Sequence, residues 1–246
     1  MPASALDSAI YGGLLGDGEV AALFSDQAEI RAMLKVEGAL ALAQGSLGLI
    51  PKSSAKAIHS ASQSLQIDPQ ALAADTGRNA VVVPALVAAF RREMNAPEHA
   101  QYLHWGATSQ DIIDTGLILR LRELLDIVEL RLIALSKSLG QLADNHATQP
   151  MAGRTWGQTA TITSFGAVLA GWGQPMLRHL DRLAELRPRL LCVSLSGAAG
   201  TLAVMGAQGA ALRAGLARAL KLNDAPVSWH TARDNIGELA GWLTLL

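Results

Sequence analysis

Cysteine is almost missing from this chain: its 246 residues contain one, Cys192, set in an apolar run. A lone cysteine excludes an internal disulfide and a cysteine-ligated zinc cluster, and it fits a reduced, cytoplasmic setting. Aromatic residues are scarce at 4%, and no stretch interleaves them with basic residues as a platform for bases would require. Charge is thin at 17% and the formal net charge is −1, so no global field recruits nucleic acid or an acidic membrane. The opening stretch MPASALDSAIYGGLLGDGEV lacks the basic start and long apolar core of a signal peptide, and GLLGDG within it reads as a turn. A zinc motif, a P-loop, a Gly-x-Ser-x-Gly elbow, a Rossmann fingerprint and internal repeats are all missing.

What the chain has in quantity is apolar surface. Half of its residues are hydrophobic, enough for one large core or two modest ones. Residues 155–177 and 190–212 carry no Lys, Arg, Asp or Glu. Each matches a spanning helix in length, but each is studded with Thr, Ser, Gln or Gly, so burial in a large bundle or oligomer core fits better than lipid.

Helical periodicity dominates, with no convincing alternating strand. The pattern predicts a helix over 19–47 ended by Gly48 and Pro51, a short helix over 52–64, another from Asp68-Pro69, and one within 79–94 after Pro84. From Thr115 an apolar stripe runs through Leu117, Leu121, Leu124, Val128, Leu132, Leu135, Leu139 and Leu142. That is about seven turns, or roughly 40 Å, far longer than an average globular helix. Further helices are expected over 158–186, 205–221 and from Ala232, punctuated by Pro188 and Pro226. The last of them, ELAGWLTLL, ends without a cap, so the chain reads as a fragment of a longer protein.

Four segments carry chemistry. In HWGATSQDIIDTG (104–116), Thr108 with Asp111 three residues on forms a capping box, and Asp114 also suits the positive helix end. Capping does not account for His104, Gly106 and Gln110 together; a helix N-terminus flanked by two hydroxyls is equally a site for a carboxylate or phosphate. In MAGRTWGQTATITSFG (151–166), Arg154 suits bidentate capture of a carboxylate, although taken alone an arginine snorkelling at a helix start is the simpler reading. SLSGAAGT (194–201) permits close helix packing or an anion nest. VSWHTARDNIGEL (227–239) brings His230, Arg233 and Asp234 within about one turn, as a surface cap or as part of a site.

The order and spacing of these segments, together with LFSDQAEIRAMLKVEGALALAQ near the N-terminus, resemble the fumarase/aspartase/adenylosuccinate lyase superfamily over nearly the whole chain. The resemblance implies an all-α, long-helix bundle of the fumarase/aspartase type. It also implies a core completed by tetramerisation, with each active site shared between chains. It implies an N-terminal helical domain over 1–110 and a central bundle domain over 111–246, ending before the superfamily's third signature loop and C-terminal domain. HWGATSQDIIDTG is similar to the first signature and MAGRTWGQTATITSFG to the second. The second signature usually carries a histidine as general acid or base; here Trp156 stands in its place, an N–H donor that cannot exchange a proton at neutral pH. That replacement and WHTARD at 229–234 are similar to the bacterial 3-carboxy-cis,cis-muconate cycloisomerases.

The resemblance therefore implies a cofactor-independent isomerase of aromatic catabolism, in protocatechuate breakdown, that closes a lactone within an anionic polycarboxylate. It implies no metal, no nucleic acid and no membrane partner. It implies His104 and Trp156 as the catalytic positions. Thr108, Ser109, Gln110, Arg154, Thr155, Gln158, His230 and Arg233 are implied to hold substrate. The competing readings are another superfamily lyase, such as an adenylosuccinate or argininosuccinate lyase variant, a sulfomuconate cycloisomerase, or a non-catalytic scaffold.

Overall fold

In a computed structural model the chain is described over residues 4–225 and 227–246; Pro226, expected to punctuate the chain before its last helix, lies outside the described residues. The helices longer than one turn are α1 (Gly18–Leu23), α2 (Asp26–Ser46), α3 (Lys52–Ser64), α4 (Ala73–Asn79), α5 (Val83–Met94), α6 (Ser109–Asn145), α7 (Phe165–Leu190), α8 (Gly209–Leu220) and α9 (Asp234–Leu245). Among the described residues a single antiparallel hairpin, β1 (Pro150–Thr155) and β2 (Gln158–Ser164), interrupts them. No helix among the described residues is long and apolar enough to cross a membrane.

The chain forms two compact units: 1–124 with 191–233, and 125–190 with 234–246. This grouping by packing cuts across the division at residue 110 and returns the segment after α7 to the N-terminal unit. Helix α6 starts in the first unit and continues into the second.

In the first unit, α2 packs along α3 and α8. Small residues let α2 and α3 come close: a Cβ on Gly38 would stand 2.0 Å from Ser62 Oγ, and one on Gly45 would stand 2.4 Å from Ala55 Cβ. Met33, Leu34, Leu40, Ile58, Leu86 and Phe90 are fully buried around this contact. Arg122 of α6 donates to the carbonyls of Leu220 (2.9 Å) and Lys221 (3.1 Å), placing a cation on the negative end of α8.

In the second unit, Leu132 is buried, but Leu130, Ile133, Leu135 and Leu142 of α6 and Trp172 and Leu177 of α7 are exposed. The apolar stripe predicted from Thr115 is thus covered over its first turns and largely open beyond them.

Several expected elements are corrected. The 19–47 helix is two, because the Ser25 side chain accepts from the Ala28 N–H and starts α2 afresh. The helix within 79–94 begins at Val83. Helix α6 begins at Ser109, six residues earlier than its stripe suggested. The expected helix over 205–221 is a 3₁₀ segment broken at Gly206 (φ 53°, ψ −139°), followed by α8. Pro188 does not end α7 but lies within its last turn. The largest error is the helix expected over 158–186, whose first turns are a β-strand. Thr159, Thr161, Ile162 and Thr163 are β-branched and favour an extended chain, while Trp156 (φ 51°) and Gly157 (φ 74°) supply the left-handed pair of a two-residue hairpin turn.

Gly38→Ala is expected to destabilise the first unit by about 1–3 kcal/mol. A lower urea midpoint with an unchanged slope checks it; an unchanged midpoint would show that α2 and α3 can part without cost.

Candidate active site

Three of the four chemistry-bearing segments meet in the first unit, and one carboxylate joins them. Asp111 lies in the first turn of α6 and is fully buried. Its Oδ2 accepts the Thr108 N–H at 3.0 Å, the backward half of the expected capping box. The same oxygen accepts the Gly197 N–H at 3.1 Å, and Oδ1 accepts the Ser196 N–H at 2.8 Å. His230 Nε2 stands 2.8 Å from Oδ1. The anion nest that the SLSGAAGT segment offered is therefore real, but its anion is the protein's own Asp111.

A turn further along α6, Thr115 Oγ1 donates to the Ser194 carbonyl at 3.0 Å and accepts the Ser194 N–H at 2.9 Å. The Trp229 indole N–H donates to the Val193 carbonyl at 3.0 Å. Asp114, also buried, takes a fork from Arg233 (2.6 and 3.1 Å) and a hydrogen bond from Gln110 Nε2 (2.8 Å). The Arg233 guanidinium also lies over the Trp229 ring, 5.2 Å from its centre. Gln110 and Arg233, expected to hold substrate, are thus engaged by Asp114 in this structure.

His104 sits on the loop before α6 in a left-handed conformation (φ 62°), and Gly106 follows at φ 69°. The positive φ calls for glycine at 106, and a Cβ there would stand 2.3 Å from Met205 Cε, which would have to swing aside. Gln44 Nε2 donates to the Trp105 carbonyl at 2.7 Å, and Arg91 Nη2 to the Leu103 carbonyl at 2.9 Å. His104 Nδ1 lies 2.6 Å from Oε1 of the buried Glu37. Burial pushes the His104 imidazole down, and Arg91 acts in the same direction. The hydrogen bond and charge of Glu37, joined by the charge of Asp111, overcome both and hold its pKa above the ordinary value.

Three groups here have no hydrogen-bond partner among the described residues: His104 Nε2 and the hydroxyls of Thr108 and Ser109. A nitrogen that can carry a proton and two small donors, at the start of a helix whose dipole favours negative charge, suit a carboxylate ligand. Among the described residues no group of three or more His, Cys, Asp and Glu side chains could hold a metal ion. Burial and then the charge of Asp224 push the Cys192 thiol up, away from a reactive thiolate.

The fourth segment belongs to the second unit. Arg154, Thr155 and Gln158 are exposed on the hairpin, and Trp156 at its tip is 100% exposed. The missed residues are Glu37, Gln44 and Arg91. The one sequence signal for Glu37 is an acidic residue inside the otherwise apolar run Val36–Leu42.

A family profile described as lyase matches residues 18–246. The chain belongs to this lyase family. Within it, the chain is 42% identical over 229 residues to the 3-carboxy-cis,cis-muconate cycloisomerase of Pseudomonas putida, covering 91% of the chain and 54% of that protein. It is 36% identical over 248 residues to the N-acetyl-S-(2-succino)cysteine lyase of Dickeya dadantii, covering 100% of the chain and 54% of that relative. The crystal structure of the beta-carboxy-cis,cis-muconate cycloisomerase from Acinetobacter calcoaceticus superposes with a TM-score of 0.93 at 36% identity, over 96% of this chain and 56% of that one. The long-helix, predominantly α-helical lyase fold is thereby shown. The chain spans about half the length of the relatives it matches.

Asp111→Asn places an amide N–H₂ among donors that need an acceptor, and is expected to cost about 2–4 kcal/mol, read as a lower denaturation midpoint. A second expectation follows from His104. Because its folded pKa is raised, its stabilising contribution is complete below the unfolded pKa and is lost as pH rises through the folded one. Urea midpoints should therefore fall with pH across that window in the native chain and less in His104→Gln. Parallel pH curves would refute the Glu37–His104 coupling.

Proposed function

We propose that this chain carries the lactonising chemistry of a 3-carboxy-cis,cis-muconate cycloisomerase. The observation that carries the reading is the set of unpartnered groups at the start of α6, His104 Nε2 with the Thr108 and Ser109 hydroxyls, in a chain 42% identical to a protein of that name. In the proposed reaction one carboxylate oxygen adds to the distant alkene carbon of the same molecule and a C–O bond forms. The alkene electron pair moves onto the conjugated carboxylate as an enediolate. A proton then adds to carbon and restores that carboxylate.

Holding the two ends of one molecule in reach supplies much of the rate gain, and donors at the enediolate oxygens supply more. Thr108 and Ser109 are proposed as those donors, with Gln110, His230 and Arg233 behind them. Arg154, Thr155, Trp156 and Gln158 are proposed to serve a site from another subunit of a homotetramer. The exposed apolar residues of α6 and α7 support such an assembly. The reading requires no cofactor and includes a cytoplasmic location.

A second reading is a lyase reaction like that named for the Dickeya dadantii relative, which is favoured by its 36% identity over the whole chain. The Trp156 substitution at the usual proton-exchanging position of the second signature argues against it.

The test is a spectrophotometric assay with 3-carboxy-cis,cis-muconate. Loss of diene absorbance with lactone formation is expected, and Ser109→Ala should lower kcat/KM roughly 10–100-fold with the fold intact. Fumarate release from adenylosuccinate or from N-acetyl-S-(2-succino)cysteine would overturn the proposal, the latter in favour of the second reading, and turnover of none of these substrates would favour a scaffold.

A further inference from the structure

Glu37 is difficult to explain as a stabilising residue. It lies mid-helix on α2, is 1% exposed, and is flanked by buried Val36 and Leu40. A buried carboxyl group costs several kcal/mol unless it is well partnered. Glu37 is only half partnered: Oε1 meets His104 Nδ1 at 2.6 Å, while Oε2 is buried with no hydrogen bond. An apolar residue of similar volume would serve the core better.

The conformation of its partner is equally costly. His104 is a non-glycine residue at φ 62°, a region that disfavours side chains with a Cβ. The carbonyl before it is held by Arg91 of α5 and the carbonyl after it by Gln44 of α2. Gln44 follows Glu37 by seven residues, two turns along one face of the same helix, so one helix face anchors both the backbone and the ring of this loop. Strain that its surroundings over-determine in this way marks positions that serve function.

The charged groups that act on the His104 ring are Glu37 of α2, Asp111 of α6 and Arg91 of α5. Asp111 is already saturated by its own four donors. Among the described residues Glu37 is the one group that hydrogen-bonds the ring, and it engages one nitrogen.

We propose that Glu37 is a positioning residue: it keeps a proton on His104 Nδ1, fixes the plane of the ring, and leaves Nε2 as the atom that gives a proton to the substrate. This rests on the reading that the start of α6 binds the substrate. In the protonation step the Nε2–H bond breaks and a C–H bond forms with the enediolate electron pair. The imidazole becomes neutral with its remaining proton on Nδ1, facing Glu37, and Nε2 regains a proton from water. Glu37 takes no proton in the step.

The test is ¹⁵N NMR of the histidine rings in the whole chain across a pH titration, with the His104 signals identified by their loss in His104→Gln. In the native chain the neutral His104 ring is expected to carry its proton on Nδ1 and to titrate above the ordinary histidine value. In Glu37→Gln the midpoint should fall. The basic limb of the kcat profile should move down with it, with KM changed less than about twofold.

A neutral ring protonated on Nε2 in the native chain would overturn the proposal without any variant, so a misfolded Glu37→Gln cannot shelter it. Equal midpoints in the two proteins, or a shifted midpoint with an unmoved kcat profile, would also overturn it. Absence of lactonisation in a native chain that shows the expected tautomer and midpoint would instead overturn the reading of the site on which the proposal rests.

Discussion

The Asp111 carboxylate organises this molecule's polar interior. A buried anion must be satisfied by donors, and this one takes three backbone N–H groups and a histidine from segments distant in sequence. The N-terminus of α6, the stretch 193–197 and the segment at Trp229–Arg233 are joined by that demand. Asp114 and Thr115, on the next turn, repeat the pattern with Arg233 and Ser194. Helix capping and site assembly are therefore one structural act here. The groups left over after it, His104 Nε2 and the hydroxyls of Thr108 and Ser109, are the ones available for a ligand.

The division of labour between the carboxylates is instructive. Asp111 and Asp114 are fully occupied and act as anchors, so the groups facing them, the His230 ring and the Arg233 guanidinium, are engaged internally. Glu37 is the exception, with one oxygen engaged and one bare. Polar groups with incomplete partners are rare in interiors and concentrate where chemistry is done. The three acids thus differ in role because their surroundings differ.

Much of the fold and part of the site were legible in the sequence. Helix α3 matched its pattern to the residue, and α6 declared itself by a stripe too long for anything but a helix. The capping relation between Thr108 and Asp111 followed from spacing alone, because it is local. The hairpin was misread although Thr159, Thr161 and Thr163 alternate with Ala160 and Ile162: the alternation is short and the strand is exposed on both faces over most of its length, so no half-buried pattern marks it. The occupant of the nest at Ser196 and Gly197 was out of reach, since its anion lies 85 residues away. Glu37 stood out only as an acid in an apolar run, and Gln44 and Arg91 carried no such signal; the three-dimensional path of the 103–105 loop reveals what they hold. The resemblance to a lyase family brought distant segments together on paper. It could not say which polar groups would face a substrate and which would face one another.

The contacts that define the site have an order in time as well as a place. His230 meets Asp111 across 119 residues of chain and Ser194 meets Thr115 across 79. Contacts of such span close large loops and form late. While the chain is being made, the segment 104–116 leaves the ribosome long before its partners at 194–197 and 229–233 exist. Until then Asp111 and Asp114 lack those donors, and burial of their charge awaits the residues up to Arg233. Assembly of the ligand-facing groups is thereby tied to completion of the unit that bears them, so a partly made chain presents a helix and not a site.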